Sequence, residues 1–261
     1  MAFEPAVLEQ LCHLVEQAGQ AILPSWRNNA EVELKADDSP VTQADLAAND
    51  IISSGLAVIT PDIPVLSEED CAIPIEQRQQ WQRWWLVDPL DGTKEFIAGS
   101  TEFTVNLALI EQGRSVFGLV GVPAQGLLYY GGKQHGAHRQ QQGHTQPIFV
   151  SHRQQPLRVV ASKRHSSPEQ EALLAELSSK TSIELVNAGS SLKFCWLAEG
   201  RADFYPRLAP TSQWDTAAAQ AVLEGAGGAV LDPQGQPLGY VQRSSYLNPQ
   251  FFAYGLDQQL Y

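Results

Sequence analysis

The chain has 261 residues, 43% of them hydrophobic, enough to bury a sizeable core in one large domain or two modest ones. Its 29 acidic residues against 17 basic ones leave a net charge of −12, which repels a polyanion and argues against a nucleic-acid polymer as partner. No apolar run reaches the roughly 18 residues of a membrane span, and Met-Ala-Phe-Glu-Pro at the start lacks the basic and apolar regions of a secretory signal.

In chain order, Leu8, Leu11, Val15, Ala18 and Ile22 recur at helical spacing and predict an amphipathic helix ending near Pro24. Cys12, the first of three scattered cysteines with Cys71 and Cys195, belongs to no zinc pattern, and an odd number cannot all pair; a reducing cytosol is the expected compartment. Glu31 to Thr42 is short and mixed, with the turn signal Asp37-Asp38-Ser39-Pro40. A second helix is expected from Thr42 or Gln43 to Ile59. Val65-Leu66-Ser67 reads as a short strand ending in Glu68-Glu69-Asp70, and Ile75 to Arg83 as a polar connector.

Trp84-Trp85-Leu86-Val87 then reads as a strand buried on both faces, and Phe103–Glu111, Ser115–Pro123 and Gly126–Tyr130 as further strands. His135 to Thr145, rich in Gln, His and Gly, reads as a loop or hairpin tip. A second unit starts near Arg153: strand 158–161, helix 167–178, strand 183–186, helices 191–199 and 215–224, and strand 229–231. The boundary predicts two subdomains, 1–153 and 154–261, in a layered α/β (α+β) protein.

The chemistry gathers where strands end. Asp88 and Asp91 follow the apolar strand 84–87, with Pro89 expected to stop the ladder there. Gly92-Thr93 turns into Lys94-Glu95-Phe96, the first turn of a helix whose N–H groups suit a phosphate. Taken alone, Asp91 reads equally as a helix cap and Asp88 as part of an Asx turn. Two carboxylates at one strand end call for a proton or a cation, however. Hard oxygen donors without His or Cys favour magnesium over zinc. Glu68-Glu69-Asp70 ends a second strand in carboxylates, or is a solvated turn. Asp215, in Thr211-Ser-Gln-Trp-Asp215, precedes an Ala-rich helix that it would otherwise cap, and Thr42 with Asp45 opens an early helix.

The set Asp88-Pro89-Leu90-Asp91-Gly92-Thr93, with Glu68-Glu69 upstream and Trp214-Asp215 far downstream, resembles the inositol monophosphatase family. Leu66-Ser67-Glu68-Glu69-Asp70, Asp91-Gly-Thr-Lys-Glu-Phe96, Gly189-Ser-Ser-Leu-Lys-Phe194 and Tyr205-Pro-Arg207 are most similar to its 3′(2′),5′-bisphosphate nucleotidase branch, of the bacterial sulfate-assimilation type. One departure is Ser67, where family members often carry Gly before the Glu pair.

The resemblance implies an αβαβα sandwich and a magnesium-dependent phosphatase of sulfur metabolism, often lithium-sensitive. It implies Glu68, Asp88, Asp91 and Asp215 as metal ligands with the Leu90 carbonyl, and Thr93 with Asp45 orienting the attacking water beside Glu68. Two metals can lower the pKa of bound water and clamp attacking and leaving oxygens, so no Ser or Cys nucleophile is needed. On the substrate side stand Asp91, Gly92, Thr93, Gly189, Ser190, Lys193, Arg207 and Asp215. Gly189-Ser190-Ser191 is expected to open a helix with N–H groups facing phosphate. Lys193 and Arg207 read equally as surface cations, and Trp214 as a site aromatic. Roles for Glu69 and His165 stay open.

The expected reaction removes the 3′-phosphate of adenosine 3′,5′-bisphosphate, giving AMP and phosphate. The same fold accommodates an inositol or sugar monophosphate instead, and a non-catalytic metal- or nucleotide-binding module is the alternative outside enzymes. The expected partner is a small phosphorylated nucleotide, the expected state a cytoplasmic monomer or weak homodimer. The resemblance also allows peripheral association with the inner membrane, without support from a basic amphipathic segment.

Overall fold

The computed structural model describes residues 3–27, 32–34, 40–152, 155–161 and 168–255. It opens with α1 (Pro5–Arg27), a short pair of strands β1 (Val32–Leu34) and β2 (Pro40–Thr42), and α2 (Gln43–Ile59). Helix α1 ends at Arg27, three residues past Pro24, as expected. Thr42 caps α2 in a reciprocal box: its hydroxyl accepts from Ala44 N–H at 3.2 Å, and Asp45 Oδ2 accepts from Thr42 N–H at 2.8 Å.

Then come β3 (Val65–Ser67), α3 (Ile75–Arg78), β4 (Arg83–Asp91), α4 (Thr93–Ile97), β5 (Thr104–Glu111), β6 (Arg114–Val122), β7 (Leu127–Gly132), β8 (Gly136–Gln141) and β9 (His144–Ile148). The seven strands form one sheet in sequence order, β3–β4 parallel and the rest antiparallel. The segment at 135–145, read as a loop or hairpin tip, is a hairpin of two paired strands, and the polar connector contains the helical turn α3.

The second half holds β10 (Leu157–Ala161), α5 (Pro168–Lys180), β11 (Ile183–Asn187), α6 (Leu192–Ala198), β12 (Phe204–Arg207), α7 (Ala217–Gly225), β13 (Ala229–Leu231) and β14 (Phe251–Tyr254). Its five strands run in the order β11-β10-β12-β14-β13, with β10 parallel to both neighbours and β14 antiparallel to both of its own.

Alternation along the strands builds the layers. Trp85 and Val87 of β4 pack with α1 and α2, while Trp84 and Leu86 face the other way, into a core with α6, α7 and the inner face of the second sheet. All four are at most 3% exposed, and each fully buried side chain of this size contributes roughly 1.5–3 kcal/mol. Leu157, Val159 and Phe204 on the outer face of the second sheet pack against Leu177 of α5. The result is five alternating layers, α/β/α/β/α, as the resemblance implied. Helix α7 lies against the first sheet so closely that a Cβ at Gly118 of β6 would run into the Ala218 carbonyl, which explains a glycine in mid-strand. That close packing fixes the segment before α7, and with it Asp215, against the ends of β3 and β4.

Candidate active site

Parallel pairing of β3 with β4 sets Ser67 beside Val87, so the next residues, Glu68 and Asp88, emerge at the same sheet end. Asp88 is 1% exposed, and its Oδ1 accepts from Leu90 N–H at 3.0 Å, an Asx turn. Pro89 interrupts the ladder without ending it. Asp88 pairs with Asn106, a register shift follows, and Asp91 pairs with Thr104. This bulge frees the Leu90 carbonyl from the sheet, and Thr93 Oγ1 donates to it at 3.3 Å. Gly92, at φ 88°, makes the left-handed turn into α4 that a side chain would strain.

Asp215 does not cap α7, whose cap position is Thr216. Its Oδ2 instead accepts from Thr211 Oγ1 at 2.6 Å and Ser212 N–H at 3.0 Å, which turns the carboxylate toward the first sheet. Oxygens of Glu68, Asp88 and Asp215 lie within 4.8 Å of one another. Asp91 stands outside that trio and is held by Ser191 N–H at 2.6 Å and Thr104 Oγ1 at 3.4 Å. Asp45, buried at the start of α2, accepts from the Thr42 hydroxyl at 2.6 Å, so it serves as a capping partner.

The electrostatics match four carboxylates crowded out of water. Burial, then the charges of Glu68, Asp91, Asp215 and Asp45, hold the Asp88 carboxyl well above the usual range. Burial and Asp215 push Asp91 up to about 6, against the opposing pull of Lys193. Asp215 and Asp45 are also raised, chiefly by burial, with hydrogen bonds from Thr211 and Thr42 working against it. Like charges so placed are stabilised by a shared cation. An all-oxygen donor set with one fully buried carboxylate fits a hard divalent ion.

A cavity of about 320 Å³ is lined by Asp91, Asp215, Lys94, Lys193, Tyr205 and Arg207. Lys193 is buried, donates to the Ser190 carbonyl at 3.1 Å, and lies 5.8 Å from the Tyr205 ring centre. Arg207 ends β12 rather than lying on a free loop, and its guanidinium donates to the Ala209 and Pro210 carbonyls at 3.0 and 2.7 Å. The expectation of N–H groups facing phosphate before α6 is corrected for two residues: Gly189 N–H donates to Glu102 Oε2 at 3.0 Å, and Ser191 N–H to Asp91. Ser190 takes φ 44° and turns its buried, unpartnered hydroxyl into this region. Trp214 packs on Tyr246, ring centres 4.9 Å apart, as a core residue. His165 lies outside the described residues.

Sequence reasoning missed Lys94, Glu102 and Asn106. Lys94 stood in the quoted motif but had no partner to suggest a role. Glu102 acts on a residue 87 positions away. Asn106 did leave a trace, as the polar residue amid the apolar run Val105 to Ile110.

Five alternating layers with a carboxylate cluster at the strand ends define a metal-dependent class of layered α/β proteins. The chain belongs to the inositol monophosphatase family, whose sequence profile matches residues 5–259. It is 49% identical to the 3′(2′),5′-bisphosphate nucleotidase CysQ of Salmonella typhimurium, over 94% of this chain and 98% of that protein. It is 47% identical to the protein of the same name from Escherichia coli (strain K12), with the same coverage. The crystal structure of CysQ from Bacteroides thetaiotaomicron superposes with a TM-score of 0.85 at 34% identity, covering 98% of this chain and 99% of that one. Among the described residues no helix is long and apolar enough to cross a membrane.

Proposed function

We propose that this chain is a magnesium-dependent phosphatase that converts adenosine 3′,5′-bisphosphate to AMP and phosphate. One observation carries the reading: the cations Lys94, Lys193 and Arg207 line the same cavity as Asp91 and Asp215. A molecule with two phosphates can place one at a metal held by the carboxylates and the other on the cations, whereas a monophosphate uses only one of the two. The nucleotidase names of relatives at 47–49% identity support the same substrate.

In this reading Glu68, Asp88, Asp91, Asp215 and the Leu90 carbonyl hold the metal. Bound magnesium would supply charge neutralisation and an acidified water. Thr93, whose hydroxyl donates to the Leu90 carbonyl, keeps its lone pairs for a hydrogen bond from the attacking water. Asp45 lies near enough to Asp88 for its charge to be felt there, and orients the same water. Gly92, Gly189 and Ser190 border the reacting phosphate, and Lys193 and Arg207 the second one. We assign residues 1–153 and 154–261 to two subdomains, with Asp215 the ligand supplied by the second. The enzyme is read as a cytoplasmic monomer or weak homodimer.

Steady-state phosphate release tests the substrate. A charge-assisted hydrogen bond is worth about 1.5–3 kcal/mol. The nucleotide is therefore expected to exceed inositol 1-phosphate in kcat/KM by at least about tenfold. A higher value for inositol 1-phosphate would overturn the choice of substrate.

A further inference from the structure

Asp91 ends β4 and Asp215 lies in the turn before α7, 124 positions apart in sequence. Something other than the chain must fix their separation. Ser191, 1% exposed and one residue before α6, lies between them. Its amide donates to Asp91 Oδ2 at 2.6 Å, and its hydroxyl donates to the Asp215 backbone carbonyl at 2.5 Å. A hydroxyl has one proton, so the Ser191 oxygen can only accept from its third neighbour, Asn106 Nδ2, at 3.0 Å. Asn106 is fully buried on β5, directly opposite Asp88 in the ladder. One residue thus ties the end of β4, the start of β5 and the turn before α7.

We propose that Ser191, braced by Asn106, is a positioning residue that sets the spacing of Asp91 and Asp215 for a divalent cation before any cation arrives. The proposal rests on the reading of these two aspartates as metal ligands. Its hydroxyl holds the Asp215 backbone, and its amide reaches Asp91. A hydroxyl-deleting variant therefore leaves every carboxylate and the amide bond to Asp91 in place while releasing the Asp215 turn. Outer-shell partners that orient ligands typically affect metal affinity by about 10–100-fold.

The test is the dissociation constant of Mn²⁺, by electron paramagnetic resonance on substrate-free protein, with Mg²⁺ measured by competition. Ser191→Ala is expected to weaken both ions about 10–100-fold. Turnover should recover to within about threefold of wild type at saturating Mg²⁺, because only the spacing is lost and added metal restores it. Asn106→Ala, which keeps the hydroxyl but removes its brace, is expected to weaken metal in the same direction by less, and carries the test if Ser191→Ala fails to fold. Val159→Ala, in the core of the second sheet, serves as a destabilised control whose metal constants stay at the wild-type value. A Ser191→Ala protein, or failing that an Asn106→Ala protein, that melts lower like the control yet binds Mn²⁺ as wild type does would reduce the contact to ordinary packing and overturn the proposal. If Asp91→Asn also leaves Mn²⁺ binding unchanged, the ligand reading itself fails, and the strut with it.

Discussion

Asp88→Asn is expected to lower kcat/KM at least about a thousandfold while leaving a folded protein that, without metal, melts no lower than wild type. The substitution keeps the shape and the side-chain oxygen that accepts from Leu90 N–H, so the turn after β4 survives. It removes one charge from a site where burial and four neighbouring carboxylates already oppose that charge. The metal-free protein is relieved, whereas the metal site loses a ligand. Electrostatic stabilisation worth several kcal/mol then disappears from the transition state, and each 1.36 kcal/mol is a factor of ten. Kinetics and thermal melting in EDTA on one preparation check both halves. Wild-type turnover in the variant would remove Asp88 from the mechanism, and a lower melting point would mean that its charge helps the fold.

The second large effect is the dependence of stability on magnesium and pH together. The Asp91 carboxyl is raised to about 6 and Asp88 well above the usual carboxylate range, so the metal-free fold holds protons that the unfolded chain has already released. Where the folded state binds more protons, stability falls as pH rises. The metal-free protein should therefore lose stability between about pH 4 and 6, and further as Asp88 ionises. Magnesium binds the ionised carboxylates of the folded state alone. At a hundredfold excess over its Kd it adds about 2.7 kcal/mol, or about 5–10 °C in a chain of this size. The gap in melting temperature between Mg²⁺ and EDTA samples should be widest near pH 8 and close toward pH 5. A gap that stays constant over this range would contradict the assignment of these carboxylates to the metal.

What could be read from the residues follows from how local each signal was. The strand at 84–87 announced itself because both of its faces are buried, and the helix at 43–59 because Thr42 and Asp45 form a box within four residues. Strands β8 and β9 did not. They lie at the sheet edge, and of their side chains only Ala137 and Ile148 join the core, so their Gln- and His-rich sequence marks a loop or hairpin tip and hides the strands' length. Strands β12 and β14 are four residues each, and Pro206 disguises the first; they exist because Phe204 and Tyr205 pair with Tyr254 and Ala253 across the second sheet. At the site, the motif made the carboxylates visible, and the structure brings Glu68, Asp88 and Asp215 together. Their fixings were invisible. The bonds from Ser191 to Asp91 and from Gly189 to Glu102 span 100 and 87 positions, and no local pattern encodes a partner at that distance.

Phosphorus NMR of the products of adenosine 3′,5′-bisphosphate, run with Mg²⁺ and with EDTA, tests the central claim most directly. The expected spectrum with Mg²⁺ contains 5′-AMP and inorganic phosphate, with no conversion in EDTA and full recovery when the metal is returned. Release of the 5′-phosphate to leave 3′-AMP, or an unchanged rate in EDTA, would contradict it.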